Sequence, residues 1–174
     1  MNEWLVLFEN VDTKPFLNAF ENADKTEVDI LDRSTVGEKS KQQNLKTIEP
    51  IGQLFSNYIQ KIRDIGNNNL TYSYGWCVEG NQGSYHRLHN HTFSKKDVKV
   101  SDGISCVLYL DVPQGDDTGE FYYLIREAYT TGLSSIMPKK GDLIIMANSV
   151  FHGVYPQKVE GLRRTLNFDF AYAN

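Results

Sequence analysis

The apolar residues between Thr47 and Ile65 recur with a helical period. Steps of three and four place on one face of a helix the residues Ile48, Ile51, Phe55, Tyr58, Ile62 and Ile65. This spacing predicts an amphipathic helix of about five turns, ending at Gly66 and the polar run Asn67–Asn69. Because its apolar stripe must be buried, we expect the helix to cover one side of a sheet.

The residues that precede this helix carry weaker signals. Trp4–Phe8 is a short apolar run and predicts a strand. Asp12 or Thr13 as an N-cap, followed by Pro15 in the first turn, predicts a short helix that runs through Ala23.

Beyond residue 70 the pattern changes to short strands separated by Gly, Pro and Asp. Such strands are predicted at Leu70–Val78, Ile104–Val112, Phe121–Ile125, Leu143–Ala147 and Thr165–Tyr172. In the second of these, one face carries Ile104, Cys106, Leu108 and Leu110. Short strands at such intervals are typical of a sandwich or barrel.

Together these elements predict a mainly β protein with N-terminal helices, organised as one domain over residues 1–174. A helical region, residues 1–69, would pack on a β-core formed by residues 70–174. Within the first region Leu31–Leu45 is polar and is expected to form a loop. An exposed edge at Trp4–Phe8 would allow a homodimer.

Composition narrows the class of partner. The net charge is −4, which argues against nucleic acid, and the basic run Ser94–Lys99 is interpreted as a solvated loop. No apolar run approaches the ~18 residues of a membrane span, and the N-terminus has no basic leader. Cys77 and Cys106 lie in apolar strand patterns and fit buried, reduced thiols. We therefore expect a soluble protein of the cytoplasm.

The four histidines lie in two places, with His86, His89 and His91 close together and His152 about sixty residues downstream. His89 and His91 are two apart, so in a strand both project from one face. A third imidazole from a distant strand would complete half of an octahedron and leave open positions, which suits Fe(II). On an extended chain His86 faces away from both, and we expect it behind the ligands or at the surface.

A longer pattern runs from Trp76 to Phe170. Its parts are Trp76, His89-Asn90-His91, Val107–Leu110 with Pro113, Gly119–Phe121, Pro138–Met146, His152–Pro156 and Arg163–Phe168. In order and spacing the pattern resembles the Fe(II)/2-oxoglutarate-dependent oxygenase superfamily, especially its branch of small oxygenases. The resemblance implies a double-stranded β-helix, a relative of jelly rolls and cupins.

The resemblance also implies the site. His89, His91 and His152 would hold Fe(II), with 2-oxoglutarate in two coordination positions and O2 at a third. Arg163 would bind the far carboxylate of 2-oxoglutarate, with Thr165 on the same strand face. Arg164 faces the other way, although a one-residue slip would exchange the two arginines.

Other side chains near this pattern have less certain roles. Both arginines could instead be surface partners of Glu160 or Asp169. Tyr109 is either a further contact to the same carboxylate or a core residue. Trp76 is expected to pack, and Asn167 to line the substrate pocket.

One position departs from the family pattern. The commonest triad is His-x-Asp followed by a later His, and here the middle ligand position is His91. Asp97 or Asp102 could supply a carboxylate instead if the loop Thr92–Asp102 folds back, and that long loop would suit a lid.

Three functions remain open from the sequence. The first is an oxygenase that uses Fe(II), O2 and 2-oxoglutarate to hydroxylate a small molecule or a protein side chain. The second is a cupin-like three-histidine dioxygenase that needs no 2-oxoglutarate. The third is a β-helix module that binds a metal without catalysis.

Overall fold

A computed structural model of the chain describes residues 3–28, 40–62, 69–95, 98–100, 103–126 and 131–172. Two helices lie in its N-terminal part, α1 (Lys14–Asn22) and α2 (Glu49–Ile59). The strands are β1 (Leu5–Phe8), β2 (Lys25–Glu27), β3 (Ser40–Leu45), β4 (Leu70–Gly80), β5 (His86–His89), β6 (Phe93–Lys95), β7 (Val98–Val100), β8 (Gly103–Asp111), β9 (Phe121–Arg126), β10 (Thr131–Ile136), β11 (Leu143–Ala147), β12 (Phe151–Val154) and β13 (Arg163–Tyr172).

Two antiparallel sheets organise the chain, which confirms the predicted mainly β class. The major sheet has seven strands in the order β1-β11-β8-β13-β4-β3-β2. The minor sheet has four, in the order β10-β9-β12-β5, and β6 and β7 form a separate hairpin. Side chains from the inner faces of the two sheets pack together, as where Val107 and Tyr109 of β8 meet Phe121 of β9.

Strand β8 is buried on both faces because the major sheet lies between the minor sheet and the helices. Its predicted apolar face, Ile104 to Leu110 in steps of two, packs into the cluster that contains the helices. Its other face turns towards the minor sheet. Cys77 and Cys106 are buried free thiols in the first of these clusters, as predicted.

Helix α2 covers the major sheet, as its apolar stripe predicted. Its buried residues include Ile51 and Phe55, and the ring of Phe55 lies 5.7 Å from that of Phe168 on β13. The predicted length was wrong, because α2 ends at Ile59. There the amide of Ile62 donates to the Ile59 carbonyl, a bond three residues back that tightens and ends the helix. The predicted end at Gly66 lies outside the described residues.

Helix α1 confirms the shorter predicted helix. Pro15 occupies its first turn, and Thr13 holds the N-cap position without a side-chain capping bond. The carboxylate of Asp12 instead accepts the amide of Lys14. No helix in the described ranges is long and apolar enough to cross a membrane.

Two segments predicted as loops contain strands. Ser40–Leu45, the described end of the predicted loop Leu31–Leu45, forms β3 and pairs with β4 from Ser40↔Gly80 to Asn44↔Trp76. Only the two ends of β3 are buried, so backbone pairing holds a strand that has no hydrophobic alternation. In the second segment the predicted lid loop forms the hairpin of β6 and β7. Within the expected loop Ser94–Lys99, the pairs Ser94↔Lys99 and Lys95↔Val98 lie in strands, so the loop was wrong for these residues.

Candidate active site

A cavity of about 590 Å³ lies between the two sheets. The major sheet lines it with side chains of β4, β8 and β13, and the minor sheet with side chains of β5, β9 and β12. This volume falls in the usual range of small-molecule sites. All four histidines of the chain line it.

Three imidazoles converge in the cavity. His89 on β5 and His152 on β12 are register partners, and their ring centroids are 4.5 Å apart. His91 follows β5, and its amide donates to the Asn148 carbonyl, which holds the backbone there. One ring nitrogen from each of the three lies within 4.8 Å of the others. The structure therefore brings together the three residues expected to bind the metal.

The hydrogen bonds set the tautomer of each imidazole. His89 Nδ1 lies 2.7 Å from the Arg87 carbonyl, and His152 Nδ1 lies 3.0 Å from the Val150 carbonyl. A carbonyl oxygen can only accept, so each Nδ1 is the protonated donor and each Nε2 carries a lone pair. His91 Nδ1 is 2.8 Å from a carboxylate oxygen of Asp169, which gives the same tautomer.

The electrostatics of this cluster favour a metal ion. Burial, together with the nearby His91, lowers the pKa of His89 to about 4, and burial holds the pKa of His152 well below its usual value. Both are therefore neutral near pH 7, as a ligand must be. The Nε2 atoms of His89 and His91 face each other at 3.3 Å, where two lone pairs repel unless a cation lies between them. This donor set fits a divalent metal with three protein ligands.

His86 lines the cavity, and the expectation that it faces away was wrong. Between the pairs His152↔His89 and Val154↔His86, β5 has one more residue than β12. This bulge reverses the facing of His86, so its ring lies 6.4 Å from that of His89. Desolvation, with Arg163 the next cause, lowers the pKa of His86 to about 3.

Arg163 is a buried cation on the wall of the cavity. Its side chain projects from β13, and the residue is only 5% exposed. Nη1 donates to the Thr118 carbonyl and Nη2 to the Ser84 hydroxyl, and both of these partners are neutral. Burial lowers the pKa of the guanidinium from its usual value. No carboxylate pairs with it within the described part of the chain.

Arg164 points out of the site. Its Nε lies 2.7 Å from a carboxylate oxygen of Glu79, and Nη1 lies 3.2 Å from one of Asp111. The sequence left open which arginine enters the cavity, and the structure places Arg163 there. The alternative, that both are surface partners of Glu160 or Asp169, was wrong, because Asp169 is buried and pairs with His91.

Tyr109 and Thr165 share the cavity wall with Arg163 and are register partners on β8 and β13. The Tyr109 side chain is fully buried, and its hydroxyl makes no hydrogen bond to any described residue. A buried hydroxyl without a partner is costly, so this one is available to a ligand. Asn167 also lines the cavity, as expected, and donates to the Thr165 hydroxyl.

Asp169 is a site residue that the sequence reasoning missed. It is 6% exposed and continues the alternation of Arg163, Thr165 and Asn167 along β13. The same two-residue spacing would have placed it on the cavity face. Asp97 and Asp102, the alternative metal ligands, lie outside the described residues.

Trp76 packs, as expected, and it also lines the cavity. Its ring stacks on Tyr74 at 5.2 Å and lies 5.2 Å from that of His91. On the opposite side, the Phe121 ring stacks on His152 at 5.4 Å. The rings of Trp76 and Phe121 therefore pack against the imidazole cluster.

Solved structures supply the comparison with known proteins. HygX from Streptomyces hygroscopicus, with nickel and 2-oxoglutarate bound, is 15% identical with a TM-score of 0.69, over 99% of this chain and 84% of HygX. A prolyl-4-hydroxylase from Pseudomonas putida is 18% identical with a TM-score of 0.63, over 99% of this chain and 94% of its own. SnoN, a non-haem α-ketoglutarate-dependent epimerase of nogalamycin biosynthesis, is 10% identical with a TM-score of 0.72, over 99% and 79%.

The chain has the fold of these enzymes. This confirms the double-stranded β-helix that the sequence pattern implied. No protein-family model matches the chain, and no curated protein matches it by sequence. In this double-stranded β-helix the imidazole cluster and Arg163 share the cavity between the sheets.

Proposed function

We propose that this protein is an Fe(II)- and 2-oxoglutarate-dependent oxygenase. The observation that carries the proposal is the buried guanidinium of Arg163, which no carboxylate of the described residues pairs with, in the same cavity as three convergent imidazoles. The three imidazoles suit a metal with open coordination positions, and the guanidinium suits an anion. The likeness to HygX, whose structure holds nickel and 2-oxoglutarate, supports the pairing of the two.

The metal would be held by the Nε2 atoms of His89, His91 and His152. The Nδ1 hydrogen bonds to Arg87, Val150 and Asp169 keep these rings in the binding tautomer. When bound, iron supplies the activation of O2 that couples decarboxylation of 2-oxoglutarate to oxidation of a C–H bond. Three protein ligands leave positions for the co-substrate and O2.

The far carboxylate of 2-oxoglutarate would bind at Arg163. Its guanidinium is held by Thr118 and Ser84, so little side-chain freedom is lost on binding. The hydroxyl of Tyr109, which no described residue satisfies, would donate to the same carboxylate. Thr165 lies beside it on the cavity wall and would add a third donor.

The substrate would bind in the cavity beside Trp76 and Tyr74, which both line it. We propose hydroxylation of a small molecule or of a protein side chain as the reaction. HygX has been solved with hygromycin B, and another similar structure is a prolyl-4-hydroxylase. Because SnoN is an epimerase, the fold alone does not decide the outcome at the substrate.

Calorimetry with 2-oxoglutarate tests this function directly. The protein is loaded with Ni²⁺ as an air-stable surrogate and titrated, and Arg163→Ala is compared with its neighbour Arg164→Ala. Charged hydrogen bonds contribute about 1.5–3 kcal/mol each, so Arg163→Ala should weaken binding by about 100-fold or more. Arg164→Ala should bind like the wild type, because Arg164 faces outward to Glu79 and Asp111.

The three-histidine ligand set supports a second candidate, a cupin-like dioxygenase that binds substrate directly. That enzyme has no need of a buried arginine that faces the metal site. Stoichiometric metal without any binding of 2-oxoglutarate by the wild type would favour it. A metal site closed by a fourth protein ligand would instead favour a module without catalysis.

A further inference from the structure

Asp169 places a buried carboxylate behind the metal site. Its Oδ1 lies 2.8 Å from His91 Nδ1, on the side of the ring opposite Nε2. Its neighbour across the sheet is Ser105 of β8, whose hydroxyl lies 3.0 Å from the same nitrogen. Both contacts are buried. The Nδ1 atom of His91 therefore contacts both the carboxylate of Asp169 and the hydroxyl of Ser105.

No lysine or arginine among the described residues forms an ion pair with this carboxylate. Among the described residues that line the cavity, Asp169 is the only acidic side chain, and its one ion-pair partner is His91. With Nδ1 directed at Asp169, the Nε2 atom of His91 faces the imidazole cluster, 3.3 Å from the Nε2 atom of His89. A buried carboxylate without a lysine or arginine partner is poorly compensated. A metal ion held at Nε2 would supply positive charge from the far side of the ring.

We propose, on the basis of the function proposed above, that Asp169 tunes the charge of the metal site through His91. We assign it a positioning role, because it contacts Nδ1 of His91 and is not part of the three-nitrogen cluster itself. By accepting the Nδ1 hydrogen it raises the basicity of Nε2 and directs its lone pair into the cluster. It also adds one negative charge to a site whose three ligands are neutral imidazoles.

If Asp169 acts through its charge, Asp169→Asn should change the affinity for metal and the affinity for 2-oxoglutarate in opposite directions. A packing role predicts that both affinities change in the same direction. Removing the charge in Asp169→Asn makes the His91 ligand less basic, so metal affinity should fall by about 10- to 100-fold. The metal-loaded site then carries one more positive charge, so it should bind the anion 2-oxoglutarate a few-fold more tightly, by roughly the Coulomb effect of one unit charge. A loss of packing would weaken both ligands together.

The experiment measures three quantities in the full-length protein. Ni²⁺ affinity is obtained by competition with a chelator, 2-oxoglutarate affinity by calorimetry at saturating Ni²⁺, and the Fe(III)/Fe(II) midpoint potential by anaerobic titration. Asp169→Asn should lower the first affinity, raise the second and raise the potential. Ser105→Ala is the matched control, because it removes the neutral partner of the same nitrogen and keeps the charge. Asp169→Glu, which keeps the carboxylate, should restore most of the metal affinity.

Each outcome decides the proposal. Unchanged metal affinity in Asp169→Asn overturns it, as does a parallel loss of both affinities or an equal effect of Ser105→Ala. If the amide variant does not fold, Asp169→Ser provides the same neutral comparison. A wild type that binds Ni²⁺ but no 2-oxoglutarate refutes the oxygenase alone, since metal affinity and potential still test Asp169. A wild type that binds no metal refutes both.

Discussion

Removing the hydroxyl of Tyr109 should have opposite effects on the stability of the apo protein and on its affinity for 2-oxoglutarate. No described residue forms a hydrogen bond with this buried oxygen, and a buried hydroxyl left in that state costs about 1–3 kcal/mol. Tyr109→Phe keeps the ring and removes that cost, so the free energy of unfolding of the apo protein should stay the same or rise by about 1 kcal/mol. The Kd for 2-oxoglutarate should rise by about tenfold, because a donor to its carboxylate is lost.

Denaturant unfolding of the apo protein and calorimetry of the Ni²⁺-loaded protein measure the two quantities. Tyr123→Phe is the control, because Tyr123 on β9 packs against the core cluster that contains Tyr109 but does not line the cavity. A less stable apo Tyr109→Phe with unchanged 2-oxoglutarate affinity would show that the hydroxyl serves the core.

Much of the site could be predicted from the spacing of single residues. His89 and His91, and likewise Arg163 and Thr165, are pairs two apart, and a strand places such pairs on one face. His86 could not be predicted in this way, because a bulge of one residue in β5 reverses its side. A similar register shift lies between Arg164 and Thr165 in the pairing with β8. A bulge depends on how a strand pairs with its neighbour, and the spacing of residues in the sequence does not show which strand that neighbour is.

At the scale of elements, the connection from β8 to β9 shapes the anion site. Gly119 lies there with φ +93°, and a Cβ at this position would overlap the guanidinium of Arg163 and lie 3.0 Å from the Tyr155 carbonyl. Gly119→Ala should therefore displace Arg163 and raise the Kd for 2-oxoglutarate at least about tenfold. The backbone strain should also lower the free energy of unfolding by about 1–3 kcal/mol.

Gly132→Ala on β10 is the matched control, because a Cβ there meets nothing within 4 Å. Calorimetry and denaturant unfolding should find it equal to the wild type. If Gly119→Ala were destabilised and still bound 2-oxoglutarate normally, Arg163 would not be the anchor of that carboxylate.

The elements that could be predicted are those whose side chains meet a core. Strand β8 alternates and helix α2 carries an apolar stripe, because one face of each packs against the same cluster. Strand β3 and strand β10, which is exposed along most of its length, have no such pattern. These strands pair with β4 and β9 through backbone hydrogen bonds, which require no periodic pattern of apolar residues.

At the scale of the whole molecule, the N-terminal region is more than a helical cover. Strands β1, β2 and β3 extend both ends of the major sheet, so residues before 69 contribute strands as well as two helices. The single-domain organisation and a dimer through the edge at β1 remain predictions. The cavity lies between the two sheets and is lined by residues of both.

Because the site joins the two sheets, metal binding should stabilise the whole fold. The proposed ligands are His89 on β5, His152 on β12 and His91, two residues after β5, and Asp169 ties His91 to the major sheet. An ion that binds only the folded state adds about 2.7 kcal/mol at 100 times its Kd. For a chain of this size that corresponds to an increase of roughly 5–10 °C in Tm.

Thermal unfolding with and without Ni²⁺ should show this increase in the wild type and in His86→Ala, whose ring lies outside the three-nitrogen cluster. His152→Ala should show none, and an increase retained in His152→Ala but lost in His86→Ala would mean that the metal binds through a different set of imidazoles.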